Sequence, residues 1–104
     1  MVAPGEIQPV AQHGYRYEGK GVLITEADSE ACLSRSYLVL LENMQPLGPA
    51  HSKHSDVENL GGGRFSHWDD GRRRYLLFST SDNSDPRTNG RRYMVAIGKG
   101  RTSG

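Results

Sequence analysis

The sequence predicts an all-β fold: a small antiparallel β-sandwich or a partly open barrel, with at most one short helix. Three observations lead there. Short apolar runs of strand length recur along the chain, Gly, Pro and Asp-Gly signals separate them, and no stretch has the apolar spacing of a long amphipathic helix. The 104 residues suit one domain with one modest core. Hydrophobic residues make up 35% and Gly fills 13 positions, so the core is expected to be small and the turns many.

The elements follow in order. Residues 1–13, with Pro4, Gly5 and Pro9 and no periodicity, read as a loose lead-in. "YRYEGKGVLITE" (15–26) reads as one or two strands interrupted by Gly19 and Gly21, and "ADSEACLSR" (27–35) as a loop or one helical turn. "SYLVLLEN" (36–43) is a continuous apolar run of strand length, and "MQPLGPAHSKH" a turn followed by an extended loop. "HSDVENLGGG" reads as a short helix starting at Ser55, with Glu58 completing a capping box and the three glycines ending it. "RFSHW" (64–68) and "RRRYLLFST" (72–80) form a hairpin around the Asp-Gly turn of "DDG". "RRYMVAIG" (91–98) is the last strand. The expected division is a single β domain over 14–98 and a frayed tail over 99–104.

Net charge is +1, but 1–60 carry 4 basic and 8 acidic side chains, whereas 61–104 carry 9 and 4. The basic half is Arg-rich, and Arg presents a planar donor fork suited to carboxylates, phosphates and vicinal hydroxyls; solvated strand ends give the same pattern. No apolar run approaches the ~20 residues that cross a bilayer. The N-terminus lacks a basic segment followed by an apolar one, so neither a signal peptide nor membrane insertion is expected. The one cysteine, Cys32, cannot form an internal disulfide. Both features fit a cytoplasmic protein or a module of a larger parent chain.

Three constellations carry the candidate chemistry. The first is "STSDNSDPRTNGRRY" (79–93), densely polar between two strong strands. Asp82, Asn83 and Asp85 suit bracing the loop through their own backbone. Arg87, Asn89 and Arg91 suit a ligand rich in closely spaced hydroxyls. Calcium is disfavoured because the spacing is not that of an EF-hand. The second is "GPAHSKHSD": His51, His54 and Asp56, with His67 further on, form a candidate zinc or iron set, weighed against ordinary loop histidines. The third is the hairpin, where Trp68 or Tyr75 stacks on a sugar face, or instead fills the core, and Arg74 adds a donor fork.

Other chemistries find little support. Cys32 has only Arg35 as a local basic partner, no serine lies in a nucleophile elbow, and "GGGR" follows a helix rather than preceding one, unlike a phosphate loop. Near-neutral charge and scarce Lys disfavour nucleic acid.

From Leu47 to Tyr93, "LGPAHSKHSDVENLGGGRFSHW" followed by "YLLFSTSDNSDPRTNGRRY" resembles a β-rich segment of bacterial proteins connected with surface-polysaccharide and glycan biosynthesis, where similar strings stand beside transferase domains. The resemblance implies a sugar-related role and assigns no residue to it. The expectation is therefore a non-catalytic module, without cofactor, that recognises a carbohydrate or sugar-phosphate through Trp68, Arg74, Tyr75, Arg87, Asn89 and Arg91, as an accessory to a larger bacterial protein. One alternative is a small metal-dependent β-barrel enzyme using His51, His54, Asp56 and His67. Another is a structural or homo-oligomerising module whose edge strands pair with a partner.

Overall fold

The computed structural model describes residues 2–23 and 25–98; the tail expected to fray, 99–104, lies outside the described residues. Seven strands form two antiparallel sheets. β1 (Ile7–Ala11), β2 (Gly14–Tyr17), β5 (Phe65–Asp69) and β6 (Arg74–Phe78) make the first, in the order β1-β2-β6-β5. β3 (Leu38–Glu42), β4 (Gln45–Pro46) and β7 (Tyr93–Ile97) make the second, in the order β4-β3-β7. The all-β expectation holds, and the described strands close no barrel.

Alternation explains which side chains meet. In β3, Leu38, Leu40 and Glu42 point inward, between half-buried Val39 and Leu41. In β6, Leu76 and Phe78 face the same core, aligned with Tyr17 and Tyr15 of β2 and with His67 and Phe65 of β5. Phe78 meets Tyr93 of the other sheet, ring centres 5.8 Å apart, and so joins the two layers. Leu77 points the other way yet is also buried, because a short helix, α2 (His54–Asn59), lies over that face. Replacing Leu40, which is fully buried, by Ala is expected to cost about 2–5 kcal/mol.

Local expectations need three corrections. Residues 2–13 are not a loose lead-in: Pro4–Glu6 form a 3-10 turn, β1 follows, and Val2 and Ile7 are in the core. After Ile7 every residue of β1 is exposed, so the strand shows no alternation and is held by pairing with β2. "KGVL", expected as strand, is a helical turn, α1 (Lys20–Leu23), closed by the Val22 and Leu23 N–H groups on the Gly19 carbonyl. Among the described residues α2 is thus the one short helix expected, and α1 adds a single further turn. The capping box at Ser55 does not form: α2 starts at His54, with Lys53 at the N-cap and no side-chain cap. Its end is as the glycines require, since Gly61, Gly62 and Gly63 all take positive φ, which costs glycine little.

No described helix is long and apolar enough to cross a membrane.

Candidate functional site

Two polar regions flank the first sheet. The first, the loop between β6 and β7, is a closed hydrogen-bond circuit. Arg91 places Nη1 and Nη2 on the two oxygens of Asp82, both at 2.8 Å. Arg87 grips Asp85 through Nε and Nη2 at 3.0 and 2.8 Å. Asn89 donates to the hydroxyls of Ser84 and Tyr93 and accepts the Arg91 N–H. The Asn83 side-chain oxygen accepts the Gly62 N–H at 2.8 Å, tying the loop to the glycine run after α2.

The circuit is anchored on Glu42 of β3. Its carboxylate accepts the Ser81 hydroxyl at 2.6 Å, the Tyr93 hydroxyl at 2.6 Å and the Ser81 N–H at 3.3 Å, with Arg91 Nη1 at 3.4 Å. Burial works against the charge on Glu42, but the Ser81 and Tyr93 hydrogen bonds, with Arg91, outweigh it and hold the carboxyl below its usual range. The Arg91 hydrogen bonds similarly hold Asp82 far below the usual carboxylate range, and those from Arg87 lower Asp85. Burial and the bond to Glu42 push the Tyr93 hydroxyl well up. Glu42 was missed because it reads as the polar end of an apolar run.

The ligand residues expected from sequence separate into two groups. Trp68, Arg74 and Tyr75 lie near the β5–β6 turn; Arg87, Asn89 and Arg91 belong to the loop leaving the far end of β6. Three residue steps of strand, roughly 10 Å, separate Tyr75 from Phe78. Arg74 is itself held: its Nε and Nη2 bond Asp69 at 3.1 and 2.9 Å, and its Nη1 reaches the Thr25 carbonyl at 2.7 Å.

The candidate metal set does not assemble. His67 is buried, with Nε2 2.8 Å from the Val22 carbonyl and Nδ1 2.7 Å from the Ser36 hydroxyl. A carbonyl only accepts, so Nε2 carries the proton and Nδ1 accepts from Ser36. Burial lowers the pKa of this imidazole, in keeping with the neutral form. His54 sits edge-on to Trp68, ring centres 5.2 Å apart, with Nε2 3.3 Å from Ser66 Oγ; burial lowers its pKa too. His51 bonds Asp28 rather than Asp56. Among the described residues no three His, Cys, Asp or Glu side chains are grouped to hold a metal.

The histidines instead build the second region, a cleft of about 270 Å³ lined by Asp28, Leu33, His51, Ser52, Lys53, His54, Ser66 and Trp68. The outer edge of β5 positions it. Near one end of that edge, the Phe65 N–H donates to the Pro49 carbonyl and the Ser52 N–H to the Phe65 carbonyl. Near the other, the Asp28 N–H donates to the His67 carbonyl and the Asp69 N–H to the Asp28 carbonyl. Two segments distant in sequence are thereby docked side by side. Asp28, 1% exposed, accepts the Ser36 N–H at 2.7 Å on one oxygen and His51 Nδ1–H at 2.5 Å on the other. Among the described residues His51 makes no other hydrogen bond, so its Nε2 has no partner there. Its backbone is in the left-handed region at φ 57°, uncommon for a residue with a side chain.

Sequence reasoning singled out His51, His54 and Trp68 but not Asp28, Ser36, Lys53 or Ser66. The His51–Asp28 contact spans 23 positions, and no local pattern announces it.

No protein-family model matches the chain, no curated protein matches it in sequence, and no solved structure matches it.

Proposed function

We propose that the protein recognises a carbohydrate or sugar-phosphate in the cleft along the β5 edge. The observation carrying this reading is the composition of the wall: the half-buried indole of Trp68 stands beside hydrogen-bonding groups of His51, Ser52 and Lys53. An aromatic face covers the apolar side of a sugar ring while nearby polar groups address its hydroxyls. The cleft is smaller than the ~300–1,000 Å³ of drug-sized sites, which suits a single sugar unit. Leu33 and Trp68 also border a wider, shallower groove of about 760 Å³ running past Glu30, Asp69 and Asp70. Those carboxylates suit further neutral sugar units better than a polyanion. With it goes the role expected from sequence, an accessory part of a larger bacterial glycan-related protein.

This moves the ligand from the 79–92 loop, where carboxylates engage Arg87 and Arg91, to Trp68 and its neighbours. NMR shift mapping with neutral sugars and sugar phosphates tests it. Shifts are expected at the Trp68 indole, His51 and Lys53, and are lost in Trp68→Ala. Shifts confined to 79–92, or none at millimolar sugar, would remove the reading.

A further inference from the structure

We infer that the cleft is also a general-base site, in which His51 activates water against an acyl ester, the sugar carrying the ester being the part that rests on the reading above. Three observations converge on His51. Its Nδ1 faces a carboxylate, which accepts only, so in the neutral ring the proton is on Nδ1 and the lone pair is on Nε2. That nitrogen has no partner among the described residues and belongs to a residue lining a cleft. The residue is held at φ 57°, a conformation that persists where its surroundings impose it and that clusters at functional sites.

The surroundings supply what positions it. Asp28 is buried and fixed by the Ser36 N–H. Ser36 is fixed in turn, its hydroxyl donating to His67 and accepting the Leu38 N–H at 3.1 Å. Asp28 is therefore a positioning residue that sets the tautomer and orientation of His51 from a braced core, the arrangement that makes an imidazole an effective base.

The rest of the cleft selects the electrophile. Leu33 and Trp68 make one wall apolar, suited to a short acyl group, and Lys53 brings an ammonium group. One ammonium suits the single oxyanion of an acyl intermediate, whereas phosphoryl transfer spreads charge over three oxygens. In the proposed step, water gives a proton to Nε2 as its oxygen bonds the carbonyl carbon, and the carbonyl electrons move onto oxygen, facing Lys53. The intermediate then re-forms the carbonyl and breaks the bond to the sugar oxygen. That oxygen takes the proton from Nε2, leaving a carboxylic acid, the free hydroxyl and His51 as it began.

The test uses the whole chain with p-nitrophenyl acetate and a mono-O-acetylated hexose. His51→Asn keeps an N–H donor for Asp28 and suits positive φ, while removing the base. It is expected to lower kcat/KM by about a hundredfold or more. Asp28→Asn should lower kcat with little change in KM and move the His51 ring proton from Nδ1 to Nε2, read by ring-nitrogen NMR; if this variant fails to fold, His51→Asn decides alone. His13→Asn, outside the cleft, should match the wild type. A folded His51→Asn protein as active as the wild type, or a wild type no faster than free imidazole, would overturn the inference. Sugar-induced shifts without hydrolysis would leave the binding reading and remove the catalytic one. Hydrolysis dependent on His51 without sugar shifts would do the reverse.

Discussion

The 79–92 loop and the β5-edge cleft are both polar, both border the first sheet, and differ in one respect. In the loop, donors and acceptors answer one another: Arg91 has Asp82, Arg87 has Asp85, and Asn89 links Ser84 to Tyr93. In the cleft, His51 keeps a ring nitrogen without a partner among the described residues, although a buried carboxylate fixes the opposite side of the same ring. Density of polar residues therefore does not identify a site. A closed circuit rigidifies a loop, and an oriented group with one free end can act on something else.

Four expectations break or sharpen this contrast. The largest effect belongs to Glu42→Ala. It removes the acceptor for Tyr93, Ser81 and Arg91 at a position 8% exposed, and should lower stability by about 1–3 kcal/mol in urea unfolding. Sugar-induced shifts at Trp68 should survive the change. Their disappearance would tie the cleft to the loop and dissolve the contrast.

Next comes a pair of His51 variants. An exposed loop histidine should be removable at little cost, and the sequence implied as much. The structure revises that, because His51→Ala leaves buried Asp28 with only the Ser36 N–H, at a cost of about 1–2 kcal/mol. His51→Asn should restore most of the loss. Equal melting temperatures for the two would show that Asp28 does not depend on its partner.

A third test is acid titration. Glu42, Asp82 and Asp85 all have lowered pKa values in the folded protein. In each case the unfolded chain binds its proton at a higher pH than the folded one. The stabilisation is thus fully present above the ordinary carboxylate values, 4.5 for Glu and 3.8 for Asp, and is lost as pH falls through the folded values. Melting followed from neutral to acid pH should show a steeper fall for the wild type than for Glu42→Gln. Parallel curves would mean that the Glu42 network adds nothing.

The smallest effect is Arg87→Ala. Arg87 is exposed, pairs with Asp85 and lies 5.9 Å from the centre of the Tyr15 ring. Melting should fall slightly and sugar shifts at Trp68 should not change. A loss of those shifts would return the loop to the site.

What could be read without coordinates was whatever depends on neighbours in sequence. Apolar runs of strand length marked β3, β5, β6 and β7, Asp-Gly marked the hairpin, and the glycine run marked the end of α2, because run length, turn preference and φ are local properties. β1 escaped because an edge strand with one buried residue has no alternation to read, and "KGVL" escaped because its apolar pair suits strand and helical turn alike. The candidate site was half legible. His51, His54 and Trp68 drew notice as residue types, but their roles did not follow from type. Whether His51 is a metal ligand, a loose side chain or an oriented base depends on Asp28, and Asp28 reaches it only because both segments dock on the β5 edge. The same holds for Arg91, which two carboxylates engage, one of them on β3 and distant in sequence. Local chemistry set the strands and turns; long-range pairing decided which polar groups were satisfied and which were left free, since satisfaction is a property of contacts and not of composition.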